Sequence, residues 1–243
     1  MINRFICIMP MAGEGLRFKK YGFKTPKPLI KINQEPMFIK AAKSFPPYLK
    51  WLFIVNKKLK SKGNFNKYTK ILKRKKILFL NKKTQGQAST VYKSLNYIKN
   101  NDSIIVHSCD LFFKVKMTSI KKKLERNDLL VFTAKANDYH YKNHKQFSWV
   151  KKNKSKYQVS LKKNFKNIKK SKVLIGTFCF RNKTIMKNLL EYTFKNKIKI
   201  KNEYYMDSLM RDAFKLKYKL SEITVHKYIS LGSYKELKNY ILK

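Results

Sequence analysis

Short apolar runs separated by helical stretches constrain this chain before any single residue does. Phe5–Met9, Trp51–Val55, Ile77–Leu80 and Ser103–His107 are short and almost uniformly apolar, which suits strands buried on both faces of a parallel sheet. Between them, Met37–Phe45 has helical spacing and Phe65–Lys75 reads as a helix. Ala88–Ile98 repeats apolar residues at three and four positions (Ala88, Val91, Tyr92, Leu95, Ile98). The alternation predicts an open, mostly parallel Rossmann-like α/β sheet flanked by helices. After residue 128 the pattern changes. Leu129–Lys135, Phe147–Val150, Tyr157–Leu161 and Val173–Phe180 are strand-like with polar spacers, and predict a small antiparallel subdomain. Helices are expected over Lys183–Phe194 and Tyr204–Phe214, and a final element over Ser233–Ile241. The 243 residues read as a single domain with two halves, 1–128 and 129–243.

The charge excludes less than its size suggests. Fifty-eight basic residues against 13 acidic ones give a net charge of +45, a balance compatible with nucleic acid or an anionic surface. The lysines, however, are spread through nearly every segment, with Lys151–Lys172 the densest acid-free stretch. No groove-reading motif, zinc finger or aromatic RNA-binding signature accompanies them, so no specific nucleic-acid partner is expected. The longest apolar runs are too short to cross a bilayer, and no cleavage site follows the first strand-like run; a cytoplasmic protein is expected. Cys7, Cys109 and Cys179 lack C-x-x-C spacing and read as reduced core thiols.

Scarcity gives the exceptions weight. No acid falls between Glu35 and Asp102, nor between Asp138 and Glu191, and only seven glycines occur. Two of these glycines, Gly13 and Gly15, follow the first strand in Pro10-Met11-Ala12-Gly13-Glu14-Gly15-Leu16-Arg17-Phe18. One residue apart, they let backbone N–H groups turn toward an anion, and Arg17 adds a charged fork suited to phosphate oxygens. The third dinucleotide-fold glycine would fall at Phe18, and no G-K-[ST] follows, so neither of those two nucleotide motifs fits. In Pro26-Lys27-Pro28 two prolines predict a stiff, extended chain around a lysine, which lowers the entropy lost when it clamps a phosphate.

The run from Pro10 to Met37, PMAGEGLRFKKYGFKTPKPLIKINQEPM, resembles the opening signature of the sugar-phosphate nucleotidyltransferases, nearest to their short members. The resemblance implies that residues 1–128 bind nucleotide and 129–243 bind the second substrate. It implies that Met11, Ala12, Gly13 and Gly15 hold the triphosphate, with Arg17 and Lys27 on phosphates. Gln85 and Gly86, in Thr84-Gln85-Gly86-Gln87-Ala88, fall where the family covers the nucleobase. Asp110 ends a strand at the carboxyl edge where open α/β sheets bind ligands, and matches the family's metal-binding aspartate. Gly176 and Glu203 match substrate-side segments, and Asp207 is a candidate to support metal or substrate. Glu203 reads equally as a helix-start carboxylate. Many family members carry a second metal-binding aspartate where this chain has Ser230, which leaves Asp207 as the substitute visible in the sequence. His107 is expected to be a core residue.

The implied chemistry is transfer of a nucleoside monophosphate from a nucleoside triphosphate to a sugar 1-phosphate or similar acceptor, with Mg²⁺ as cofactor and pyrophosphate released. The product would serve surface polysaccharide synthesis. Two rivals stand beside it: a basic nucleic-acid-binding protein, and a nucleotide-binding member without turnover.

Overall fold

A computed structural model describes residues 4–13, 15–60, 64–154, 156–162, 165 and 168–241; the Arg17 side chain lies outside the described residues. The strands in chain order are β1 Phe5–Met11, β2 Lys31–Ile32, β3 Glu35–Pro36, β4 Lys50–Asn56, β5 Arg74–Leu80, β6 Ser103–His107, β7 Leu111–Phe113, β8 Leu129–Ala134, β9 Trp149–Asn153, β10 Lys156–Ser160, β11 Lys172–Phe180, β12 Leu220–Val225 and β13 Tyr228–Ser230.

Among the described residues, nine strands form one mixed sheet. β1 lies between β4 and β6, parallel to both, and β5 continues parallel from β4. β11 runs antiparallel to β6 and joins β8, with β12 parallel beside β8. The β9–β10 hairpin attaches to the start of β11. The antiparallel strands expected after residue 128 are present, and they extend the main sheet across its β6 edge. Small antiparallel ribbons pair β2 with β3 and β7 with β13.

The apolar runs become central strands because both sheet faces are covered. Along β1, Ile6 and Ile8 face one core with Leu52, Ile54, Val91 and Leu189. The alternate residues Cys7, Met9 and Met11 face the other with Phe38, Trp51 and Phe53. A third cluster of Phe18, Ile30, Ile32, Met37, Leu231 and Leu237 packs the first loop against the C-terminal helix Tyr234–Ile241. The stacked rings of Tyr21 and Tyr234, 4.3 Å apart, join the same two regions.

Several expected helices are shorter. The segment read as Phe65–Lys75 is helical only over Phe65–Tyr68, passes through a 3₁₀ turn, and enters β5 at Arg74. Ala88–Ile98 is helical from Gln87 to Tyr92 and ends in a second 3₁₀ turn over Leu95–Tyr97. Tyr204–Phe214 contracts to Met206–Asp212. In contrast, β1, β4 and β5 are longer than their apolar runs, because ladder pairing continues past them, through Pro10 and Met11 in β1 and into polar flanks in β4 and β5.

Among the described residues, no helix is long and apolar enough to cross a membrane. His107 is a core residue as expected. Its Nε2 donates to the Ala41 carbonyl at 3.0 Å, which leaves Nδ1 to accept from the Thr177 hydroxyl at 2.8 Å. Burial pushes its pKa down to about 4 against the opposing pull of the backbone contacts and Asp110.

Candidate active site

β1 and β6 are parallel neighbours, so their carboxyl ends open onto the same crevice. A cavity of about 580 Å³ lies there, of a size that accepts a nucleotide. Its wall includes Met11, Ala12, Gly13 and Gly15 from the loop after β1, and Ser108, Cys109 and Asp110 from the loop after β6. Gly86 and Glu203 reach it from the other side.

Gly15 has a left-handed φ of +64° and caps the helix Leu16–Lys19. A Cβ there would stand 3.2 Å from Lys27 Cβ, so the second glycine of the loop also permits Lys27 to approach. The chain is not extended at Lys27: Pro26 is extended, but the residues after it close a short 3₁₀ turn over Lys27–Leu29, with Pro28 inside it. From that turn the Lys27 ammonium reaches Asp110 Oδ2 in a charge-assisted hydrogen bond and donates to the Gly232 carbonyl at 3.2 Å. It also lies over the Phe18 ring, 5.3 Å from its centroid.

Burial alone would raise the Asp110 pKa. The Lys27 charge, with hydrogen bonds from Lys27, Ser108 and the residue's own backbone, outweighs it and holds the carboxyl below its ordinary value. Cys109 is half-buried on the cavity wall and so departs from the reading of a core thiol; Cys7 and Cys179 are buried. Burial, and then Asp110, push the Cys109 pKa up to about 12, which disfavours a thiolate there.

Gly86 adopts φ +109° and ψ −178°, a region essentially reserved for glycine. A Cβ there would meet the Tyr204 backbone N and O at 2.7 Å. Two backbone bonds fix this approach: Tyr204 N–H to the Gln85 carbonyl at 2.8 Å and Ala88 N–H to the Tyr204 carbonyl at 2.9 Å. The Gln85 side chain is exposed, and its residue is not among those lining the cavity. Glu203 is exposed and lines the cavity from a turn closed by paired bonds with Ile200. The following helix begins at Met206, so the reading of Glu203 as a helix-start carboxylate does not hold.

Gly176 does not line the cavity; it supports Ser108, whose hydroxyl would lie 3.5 Å from a Cβ at 176. Asp207 also stands outside the lining, with Oδ2 accepting from the Ser148 hydroxyl at 2.5 Å. Sequence reasoning missed Lys20, Lys83, Thr84, Ser108, Tyr205 and Gly232, all on the cavity wall. Of these, Gly232 carried a usable signal, as one of seven glycines in the chain.

No family model matches the chain, and no curated protein matches it in sequence. Solved structures do match in fold. A nucleoside-diphosphate-sugar pyrophosphorylase from Vibrio cholerae superposes with a TM-score of 0.81 at 20% identity, covering 98% of this chain and 100% of that one. A UTP-bound UGPase from Acinetobacter baumannii gives 0.74 at 14% identity, covering 99% and 93%. The inositol-1-phosphate CTP transferase from T. maritima gives 0.71 at 14%, covering 98% and 94%. The chain thus has the fold of the nucleotide-sugar pyrophosphorylases and related nucleotidyltransferases, over its whole length.

Proposed function

We propose that this chain is a nucleotidyltransferase that moves a nucleoside monophosphate from a nucleoside triphosphate to a sugar 1-phosphate or a similar phosphorylated small molecule. The observation that carries the reading is the meeting of Lys27 with Asp110 beside the Gly13–Gly15 loop, in a cavity at the carboxyl ends of β1 and β6. The fold shared with pyrophosphorylases supports it.

In this reading the loop from Met11 to Gly15 carries the triphosphate on its backbone, with Arg17 and Lys27 on phosphate oxygens. Gly86 borders the base, with the Gln85 carbonyl holding Tyr204 beside it, and Glu203 faces the acceptor, with Gly176 supporting from behind Ser108. An acceptor phosphate oxygen attacks the α-phosphorus in line. The new P–O bond forms as the bond to the β-phosphate oxygen breaks, and pyrophosphate leaves with that oxygen's electrons. The attacking group is already an anion, so no general base is required; positioning and charge neutralisation carry the rate.

The residues present fit Mg²⁺. Asp110 is a hard-oxygen ligand on the cavity wall, and Gly232 leaves open a point 3.3 Å from its Oδ2 that a Cβ would fill. Bound there, Mg²⁺ would offset the triphosphate charge. Asp207, bonded to Ser148, is assigned to holding the segment after Tyr205 in place. Such an enzyme works where triphosphates are made, in the cytoplasm, and its product is an activated unit of the kind consumed in surface glycan assembly.

The test is a matrix of the four nucleoside triphosphates against sugar 1-phosphates and other phosphorylated small molecules, read by pyrophosphate release. Turnover cut by orders of magnitude in Lys27→Ala and in Asp110→Asn supports the reading. Triphosphate binding without pyrophosphate from any acceptor would favour a non-catalytic binder. Salt-sensitive RNA binding without triphosphate binding would favour a nucleic-acid protein.

A further inference from the structure

Three side-chain oxygens converge on Gly232. A Cβ built there would stand 3.3 Å from Asp110 Oδ2, 3.4 Å from Glu236 Oε2 and 3.6 Å from Ser230 Oγ. They come from separate places: the loop after β6, the end of β13, and the first turn of the helix Tyr234–Ile241. Gly232 is not among the glycines with positive φ, so its backbone does not require glycine. What glycine provides at this position is room between two carboxylates.

Two carboxylates that face a shared space favour a cation between them. Lys27 supplies one positive charge, on Asp110. Glu236 is held differently, by the backbone N–H of Ser233 at 2.8 Å and its hydroxyl at 2.7 Å. Its own N–H is 3.3 Å from the Ser233 hydroxyl, which completes a capping box. A glutamine accepts the same two bonds, so the capping itself does not require a negative charge at 236.

We infer that Glu236 is the second carboxylate of the divalent-cation site at Asp110, with the Ser230 hydroxyl as a third oxygen. The purpose of the cation rests on the nucleotidyltransferase reading; its binding does not. Mg²⁺ commonly keeps several waters, so Glu236 can act directly or through one of them. Asp207, the alternative partner, accepts from Ser148 and is not among the atoms around Gly232, where the Asp110, Glu236 and Ser230 oxygens meet.

The experiment is Mn²⁺ binding to the nucleotide-free protein, read by electron paramagnetic resonance and by calorimetry. Glu236→Gln is expected to weaken Mn²⁺ by about 10- to 100-fold, the range for groups that support a metal, with the thermal midpoint unchanged. Asp207→Asn is expected to leave Mn²⁺ affinity at the parent value. Ser230→Asp added to Glu236→Gln should restore binding, since residue 230 borders the same point. Gly232→Ala gives a check independent of the helix cap, because its methyl would occupy that point and weaken Mn²⁺.

Parental Mn²⁺ affinity in both Glu236→Gln and Gly232→Ala, or a loss confined to Asp207→Asn, overturns the inference. The nucleotidyltransferase reading would survive that result as long as Asp110→Asn abolishes turnover. Absence of pyrophosphate release from every substrate pair would defeat that reading while leaving the cation site standing on its binding data.

Discussion

Lys27 and Asp110 lie 83 positions apart in the chain and meet in a charge-assisted hydrogen bond on the cavity wall. The lysine is set by Pro26, the close approach of Gly15 and the Phe18 ring. The aspartate is set by the end of β6, which pairing with β1 fixes. Each residue is therefore placed by a different part of the fold, and the pair forms only when the first loop has packed against the sheet.

Removing one member should expose this dependence. With Lys27→Ala, pyrophosphate release should fall by about 10²–10³-fold, the scale of losing one donor to developing charge. The pH dependence should change as well. Lys27 is the main influence holding the Asp110 pKa down, so the acid limb of kcat should move to higher pH in the variant. The sign for stability follows: the depressed folded pKa contributes stability above the unfolded carboxyl value of about 3.9, lost as pH falls through the folded value. Lys27→Ala should lose that contribution. An unchanged acid limb would show that the pair does not govern turnover.

Gly86→Ala should be among the most damaging single-methyl changes in the chain. The backbone at 86 lies in a region costing other residues about 1–3 kcal/mol, and the added Cβ meets the Tyr204 backbone at 2.7 Å. The two bonds that join Gln85 and Ala88 to Tyr204 would have to shift, carrying Glu203 with them. A lowered thermal midpoint together with a raised acceptor KM is expected. A midpoint equal to the parent's would contradict the tight approach.

His107 should stay neutral throughout the working pH range. Its folded pKa of about 4 lies below the unfolded value of about 6.5. The unfolded chain therefore takes up a proton that the folded one refuses, and stability is lost as pH falls between those values. Urea unfolding measured from pH 7 to pH 4 should show this decline. An imidazole signal that titrates near pH 6.5 in the folded protein would refute the assignment.

The parts of this molecule legible in sequence are those whose signal is local. β1, β4 and β6 are buried on both faces, so they appear as unbroken apolar runs. β12 went unread because it buries only alternate residues, and its polar members Glu222 and Thr224 bond to Lys172. The helix Met117–Arg126 was missed for a related reason. Only Ile120 and Leu124 are buried in it, and lysine, abundant everywhere in the chain, hides the period. At the site, Gly13, Gly15, Lys27 and Asp110 follow from local pattern. Ser108 and Tyr205 reach the cavity only through tertiary contacts, which spacing does not encode.

Asp207 offers a test in which removing a charge should help the fold. Burial pushes its pKa up, against the hydrogen bond from Ser148, the Lys162 charge and its own backbone N–H. A raised folded pKa means that the protonated form is favoured on folding. That contribution is complete below the unfolded pKa and is lost as pH rises through the folded one. At neutral pH the carboxylate is therefore a net cost. Asp207→Asn keeps an oxygen to accept from the Ser148 hydroxyl, 2.5 Å away in the parent, and removes the half-buried charge. The variant should melt higher at pH 7, where each kcal/mol gained corresponds to about 2–4 °C for a chain of this length. The difference from the parent should shrink as pH falls and the parent's carboxyl becomes protonated. Turnover and Mn²⁺ affinity should remain near parental values if Asp207 serves the segment after Tyr205. A lower midpoint at pH 7 accompanied by lost Mn²⁺ binding would instead give this carboxylate the cation.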